Sequence, residues 1–565
     1  MKTNQFKRPS DRNLKFFAVL GLVLIATTIF SYTVVIRRPW FGVYSGENHD
    51  WLTASSVIFT DNWSREGAWN LRFGMYENPK SPEISTQISR QPYLSYPPGA
   101  VLPVFMIGEA IGHEPTVGMV MTYDLANHLL VTIFLALTVF FFLNSLKIRL
   151  AAAFLFSLIP ILLELLLPSP FYYFQNSFFS DQAVILPFVL VVFLEVIRAD
   201  LTGRRRKVID LLQGLVFFYG VFTDWLFVFV SVVFFIKRLL SGEISVRDRR
   251  DFFSGTLRFA AGPVSGLALF IVHITVFMWG DLGYAVEYIR HKYFVRAGLD
   301  AGDNKTGGQY YQQILQYVDQ GYGFSGRIIL FITVLFVLVT GVYLLERRLS
   351  KNGASMEARK IVQLAFIVVA PCILQIFFFM NHSAVHSFSV LKLSLPISMV
   401  PFVLIPLFMV VLARDLIRKV DLSRAALFIA LPALLLTCLY LARVHDGYKE
   451  YFAKKNTYWY QIADATNRYA AASDVVLSPD LYIPDHPPQP LSLTMKRVYK
   501  IESAGEIAEM IQKTGGGYRV AVIFSKKPVS GSYWDKAVST ADSTAQNSNF
   551  CAYFSSGSLR KLQGM

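Results

Sequence analysis

Apolar runs recur from one end of the chain almost to the other. Residues 16–36, 117–143, 151–167, 183–197, 208–236, 259–279, 328–345, 361–380, 391–412 and 425–441 are built from aliphatic and aromatic side chains. A helix crosses the hydrocarbon core in roughly 20 residues. A backbone in lipid must satisfy its own N–H and C=O groups, so such runs fold as helices. Only 16% of the residues are charged, against roughly 25% in an ordinary soluble protein. These features define an all-α polytopic membrane bundle.

Lysine and arginine set the expected orientation. Lys2, Lys7, Arg8, Arg12 and Lys15 precede the first run, which has no small-residue cleavage site after it. It is expected to be an uncleaved span with the N-terminus in the cytoplasm. The loop 37–116 then falls outside, as does the proline-rich loop 168–182, while Arg204–Lys207 fall inside. Residues 208–236 are basic on both flanks, with Arg204–Lys207 before and Lys237–Arg250 after. Both flanks belong inside, so this run is expected to be a hairpin of two short helices turning at Thr223, Asp224 and Trp225. Residues 281–327 follow as a large outer loop. The count comes to about eleven transmembrane helices, N-in and C-out. The net charge of +15 sits in short loops between spans, which suits anionic membrane lipids and not nucleic acid.

Two domains are expected: residues 1–443, a membrane domain carrying the outer loop 37–116, and residues 444–565, a small extracytoplasmic α/β domain. Beyond residue 443 no run is long enough to span. Helices are expected at 459–472 and 504–513, the second capped by Ser503 with Glu506, and strands at 475–477 and 519–524. Cys372, Cys438 and Cys551 form no disulfide framework.

The stretch 45–99 is polar in a greasy chain, gathering Glu47, His49, Asp50, Asp61, Glu66 and Arg90 and closing in Tyr-Pro-Pro-Gly. Charge held beside a bilayer is costly and marks a candidate functional site. Asp50 is its chemical centre: a carboxylate there can act as general base on an acceptor hydroxyl, the bland alternative being a solvated loop aspartate. His49 is adjacent, and Tyr96 stands in the closing turn. Cations for a phosphate are available at Arg290 and Lys292, in YIRHKYFVRAG with Arg296, and at Lys392. His382 and His386, spaced to share a helical face, could hydrogen-bond a sugar or phosphate. A divalent metal there needs further ligands, so the metal is left open. Asp181 opens a span, where it could also cap the helix.

In order along the chain stand an acid after the first span (Asp50 in NHDW), a Pro-Pro pair closing the first outer loop (Pro97 and Pro98 in YLSYPPGA), an aspartate opening the fourth span (Asp181 in FFSDQA), a short hairpin with a polar tip (GVFTDW) and a late histidine-bearing loop (NHSAVHSF). In this order the chain resembles the GT-C glycosyltransferases, in particular the polyprenyl-phosphate-sugar-dependent protein mannosyltransferases and aminoarabinose transferases. The resemblance implies a catalytic role for Asp50, inversion at the anomeric carbon, a polyprenyl-phosphate-linked sugar as donor, and a lipid, glycan or protein acceptor on the outer face. A multi-pass protein of a bacterial inner (plasma) membrane is expected, since the C-terminal RKLQGM is no eukaryotic retention signal. Ser95 and Tyr96 stand where the aminoarabinose-transferase branch carries Glu-Lys, and Asp224 where relatives often carry lysine. The absence of a P-loop and of a GxGxxG after a strand accords with a lipid-linked donor. A transporter or flippase of lipid-linked sugars, and a non-catalytic assembly factor, are the alternatives. The first calls for ionisable groups at mid-membrane, the second for a partner on the outer domain.

Overall fold

The computed structural model describes residues 11–45, 49–81, 83–84, 86–299, 307–349, 355–417, 420–452, 458–471, 473–479 and 488–563. Lys2, Lys7, Arg8 and Glu47 lie outside them. Among the described residues, eight helices are long and apolar enough to cross a membrane, or nine if a bent pair counts as one span. This is the element set of a multi-pass membrane bundle. The chain divides into two compact units: residues 1–41, 95–100 and 121–453, and residues 42–94, 101–120 and 454–565.

In the membrane unit, local chemistry explains the departures from simple spans. The run expected at 151–167 is the helix Leu150–Leu166, and the expected outer loop begins instead with a second helix, Pro168–Asn176, bent from the first by 57°. Leu167 is extended (φ −69°, ψ 139°), because a residue before proline is pushed out of the α region. Pro168 then starts the next helix where its missing N–H costs nothing. The expected large outer loop is likewise mostly helical, with Leu282–Ala297 and the first turns of Gly307–Leu349. That last helix kinks at Gly323, whose φ of +71° suits glycine.

The run 208–236 forms the helices Gly203–Val221 and Leu226–Leu240, separated by Phe222–Trp225, the two short helices expected of it. Their far ends are pinned by ion pairs: Lys237 Nζ lies 2.6 Å from both Glu195 and Glu243, and Arg198 Nε lies 2.6 Å from Asp210. Burial works against ionising Glu243, but Lys237 and Arg198 hold its carboxyl down to about 2. The span Ser387–Ile417 is irregular: a 3-10 stretch Ser387–Leu393, a helix Ser394–Met399, a π turn Val400–Leu404 and a helix Ile405–Ile417. Such departures from α geometry recur at functional sites.

In the second unit, the helix Trp51–Glu66 buries Leu52, Val57, Phe59 and Trp63, and Trp63 Nε1 donates to Gly74 O at 2.8 Å. The C-terminal segment forms a five-stranded sheet of β1 (Val475–Ser478), β2 (Val498–Lys500), β3 (Val520–Phe524), β4 (Ser543–Gln546) and β5 (Phe550–Phe554) in the order β2-β1-β3-β5-β4. β2, β1 and β3 are parallel, and β5 and β4 add antiparallel. Ile507 and Ile511 of the helix Ala504–Lys513 cover one face, and Trp459, Ile462 and Ala465 of the helix Tyr458–Tyr469 the other. A strand covered on both faces reads as a continuous apolar run, as Val475–Leu477 and Val520–Phe524 do. The box of Ser503 and Glu506 caps Ala504–Lys513, as expected.

Candidate active site

In the membrane unit a chain of buried polar groups joins four elements. Lys392 lies in the 3-10 stretch, 1% exposed. Its Nζ donates to Asp181 Oδ1 at 2.9 Å and to Gln375 Oε1 at 2.7 Å. Gln375, on the helix Met356–Phe378, donates from Nε2 to Asp224 Oδ1 at 3.2 Å, and that oxygen also receives the Leu226 N–H at 2.7 Å. Buried charges persist when paired and hydrogen-bonded, and this chain fixes Lys392 and the hairpin tip together.

His382 and His386 lie beside each other with ring centroids 4.7 Å apart, and His386 stacks on Phe388 at 5.0 Å. Burial takes His386 down to about 4, with Asp181 opposing the shift and Arg296 adding to it. The ring is neutral at pH 7, able both to donate and to accept a hydrogen bond. Asp181 and Arg296 both act on its charge, so these groups share one neighbourhood. Among the described residues no group of three or more His, Cys, Asp or Glu is placed to hold a metal ion.

Beside this lies a cavity of about 630 Å³, lined among others by Ser95, Trp225, Phe229, Arg290, Lys292, Tyr293, Arg296 and Phe378. Val286, Ile289, Arg290, Tyr293 and Arg296 recur at helical spacing on Leu282–Ala297, so one face of that helix lines the cavity, while Trp225, Phe229 and Phe378 add apolar wall from other elements. Arg296 stands with its guanidinium 4.5 Å over the Tyr96 ring and reaches Ser95 O at 3.5 Å. Greasy walls with a few cations suit an amphiphilic anion.

The Tyr-Pro-Pro-Gly turn is clamped to the hairpin tip. Trp225 Nε1 donates to Ser95 O at 2.9 Å, Gly99 N to Phe222 O at 3.1 Å, and Tyr219 OH to Gly99 O at 3.1 Å. A Cβ on Gly99 would stand 2.1 Å from Phe222 O, so only glycine allows this approach.

Asp50 and His49 belong to the second unit. Asp50 is 1% exposed, at the start of Trp51–Glu66, and its side chain does not cap that helix. Its Oδ1 instead accepts from Gln489 Nε2 at 2.8 Å, and its Oδ2 from Ser45 Oγ at 3.4 Å. It is a buried, oriented carboxylate, not a solvated one. Burial pushes the Tyr44 phenol well up, and the charge of Asp50 adds to the shift. His49 is left-handed (φ 69°), a strained conformation for a non-glycine residue, and its Nδ1 accepts from Trp51 Nε1 at 3.2 Å.

Of the expected residues, Tyr96, Asp181, Arg290, Lys292, His382, His386 and Lys392 fall in the membrane unit, and Asp50 and His49 in the other. Gln375 and Gln489 were not singled out by sequence, and Trp225 was read only as part of the hairpin turn. Gln375 is one of two glutamines inside the apolar run 361–380 and could have been flagged for that. Gln489, among prolines, gave no signal.

By sequence, no family model and no curated protein matches the chain. By structure, it matches ArnT from Cupriavidus metallidurans in the apo state (TM-score 0.50, 10% identity, 96% of this chain and 98% of that one). It matches the same protein bound to undecaprenyl phosphate with a TM-score of 0.53 and 9% identity over 95% and 97% of the two chains. The oligosaccharyltransferase from Archaeoglobus fulgidus in its apo form gives a TM-score of 0.52 at 10% identity, over 90% of this chain and 69% of that one. The chain shares the fold of these solved structures. The polar chain through Lys392 and the cavity bearing Arg290, Lys292 and Arg296 both lie in the membrane unit.

Proposed function

We propose that the chain is an integral-membrane glycosyltransferase that moves a sugar from a polyprenyl-phosphate donor to a lipid, glycan or protein acceptor. Asp50 takes the proton from the acceptor hydroxyl as the oxygen bonds to the anomeric carbon. The anomeric C–O bond to phosphate breaks on the opposite side, its electron pair leaving with the phosphate, so the configuration inverts. Arg290, Lys292, Arg296 and Lys392 stabilise the phosphate as it gains charge. His382, His386, Asp181 and Tyr96 hydrogen-bond or pack against the donor, and His49 the acceptor.

One observation carries this: nearly the whole chain follows the fold of a protein solved with undecaprenyl phosphate, and this chain has its own cavity of greasy walls and cations. The topology that goes with it is about eleven crossings, N-in and C-out, in a bacterial inner membrane. Residues 1–443 bind the donor and residues 444–565 form the extracytoplasmic domain. The histidine pair serves as hydrogen-bonding groups, so transfer continues after EDTA treatment; loss restored by a divalent cation would reassign the pair to metal.

The test is reconstitution in liposomes with radiolabelled polyprenyl-phosphate sugars and an envelope extract as acceptor. Label appearing in the acceptor fraction, with free polyprenyl phosphate, supports transfer. Label that crosses the bilayer still attached to its polyprenyl phosphate would identify a flippase instead.

A further inference from the structure

We infer that Gln489 is a positioning residue for Asp50, and that its other end selects acceptors with a second hydrogen-bond donor beside the reacting hydroxyl. The inference rests on the transferase function proposed above and gives the C-terminal segment a part in it.

Gln489 is the second residue of the helix Pro488–Thr494, which packs against both Trp51–Glu66 and Tyr458–Tyr469. It is 7% exposed. Its amide nitrogen donates to Asp50 Oδ1 at 2.8 Å, so the amide is oriented by the carboxylate it serves. A donor on a carboxylate favours the charged form and fixes which lone pair stays open. Asp50 does not cap its own helix; Gln489 donates to its Oδ1 and Ser45 to its Oδ2 at 3.4 Å.

With Nε2 committed to Asp50, Gln489 Oε1 faces away from that carboxylate, and it is buried with no hydrogen-bond partner among the described residues. A buried acceptor left unmet is costly, and neighbouring polar groups do not relieve it: Ser492 Oγ donates to Gln489 O, the backbone oxygen, at 2.7 Å. The reacting hydroxyl has one proton, which goes to Asp50. Oε1 therefore takes an O–H or N–H from the next position on the acceptor. A sugar or other polyol with adjacent donors fits this, and an isolated alcohol does not.

The test uses the full chain in proteoliposomes, with acceptors carrying one hydroxyl or two adjacent ones. Gln489→Leu, close in size, is expected to lower kcat/KM for the paired-donor acceptor about tenfold or more, the scale of a lost hydrogen bond to a charged group. It should move the acidic limb of the pH profile upward and leave the donor KM unchanged. Gln489→Glu should move that limb further, by placing a second acid beside Asp50. Gln489→Asn, which keeps the amide on a shorter arm, should recover part of the activity and also serves if the leucine variant fails to fold. A folded Gln489→Leu protein with the wild-type pH limb and wild-type preference for paired donors would overturn the inference. If Asp50→Asn still turns over, the base assignment falls whatever Gln489 does; if Asp50→Asn is inactive while Gln489→Leu is wild-type, only the inference falls.

Discussion

Lys392 has almost no exposure and is held by Asp181 and Gln375. Lys392→Met leaves Asp181 charged and buried without its cation, which costs about 3–5 kcal/mol. Thermal unfolding in detergent should show a clear drop for this variant. Lys392→Met combined with Asp181→Leu should regain most of the stability without regaining transfer. Asp61 makes a separate prediction. Burial raises its carboxyl to about 6 from an ordinary value of 3.8, against the pull of Arg65 at 2.9 Å. The folded state thus holds the proton more tightly than the unfolded one. Its contribution to stability is complete below about pH 4 and is lost as pH rises through about 6. Asp61→Asn should therefore raise the melting temperature at pH 7.5 and change little at pH 4, read by scanning fluorimetry at both values.

The pair of helices in Gly203–Leu240 was legible, because the run carries basic residues at both ends and a polar turn at Thr223–Trp225. Its purpose was not legible. Its tip clamps the Tyr-Pro-Pro-Gly turn through Phe222 O and Trp225, contacts far apart in sequence that no periodicity encodes. Gly99→Ala should disrupt this clamp, because the added methyl group meets a backbone carbonyl that cannot yield. A loss of about 1–3 kcal/mol, with reduced transfer, is the expected outcome. Gly341→Ala, in a helix with open space around it, is the control and should behave as wild type in the same melting and transfer assays. Where prolines were read as loop, at 168–182, the chain instead started a new helix; proline stops one helix and pre-forms the first turn of another.

At the scale of the whole molecule, the apolar runs gave the membrane bundle, and the Val/Ile runs at 475–477 and 519–524 gave two strands of the C-terminal sheet, whose β2, β4 and β5 were not read from the sequence. The composition of the site was partly legible: Asp181, Lys392 and the cations of Leu282–Ala297 are charges in a chain that has few. Their partners were not, because Gln375 and Gln489 are uncharged and join residues up to 439 positions away. The chain also lacks lysine where its resemblance would have it, beside Pro97; the cation over Tyr96 is Arg296, from another element. Orientation has its own test. An alkaline phosphatase fused after residue 565 should be active in a bacterial host and one fused after Lys207 inactive; the reverse pattern would invert every outside and inside assignment.

The role of Asp50 is open to direct measurement. Reconstituted protein supplied with a labelled polyprenyl-phosphate sugar and its acceptor should transfer label, and Asp50→Asn, equally folded and still binding polyprenyl phosphate, should fall by several orders of magnitude. Transfer at the wild-type rate by Asp50→Asn would contradict the assignment of that carboxylate as the base.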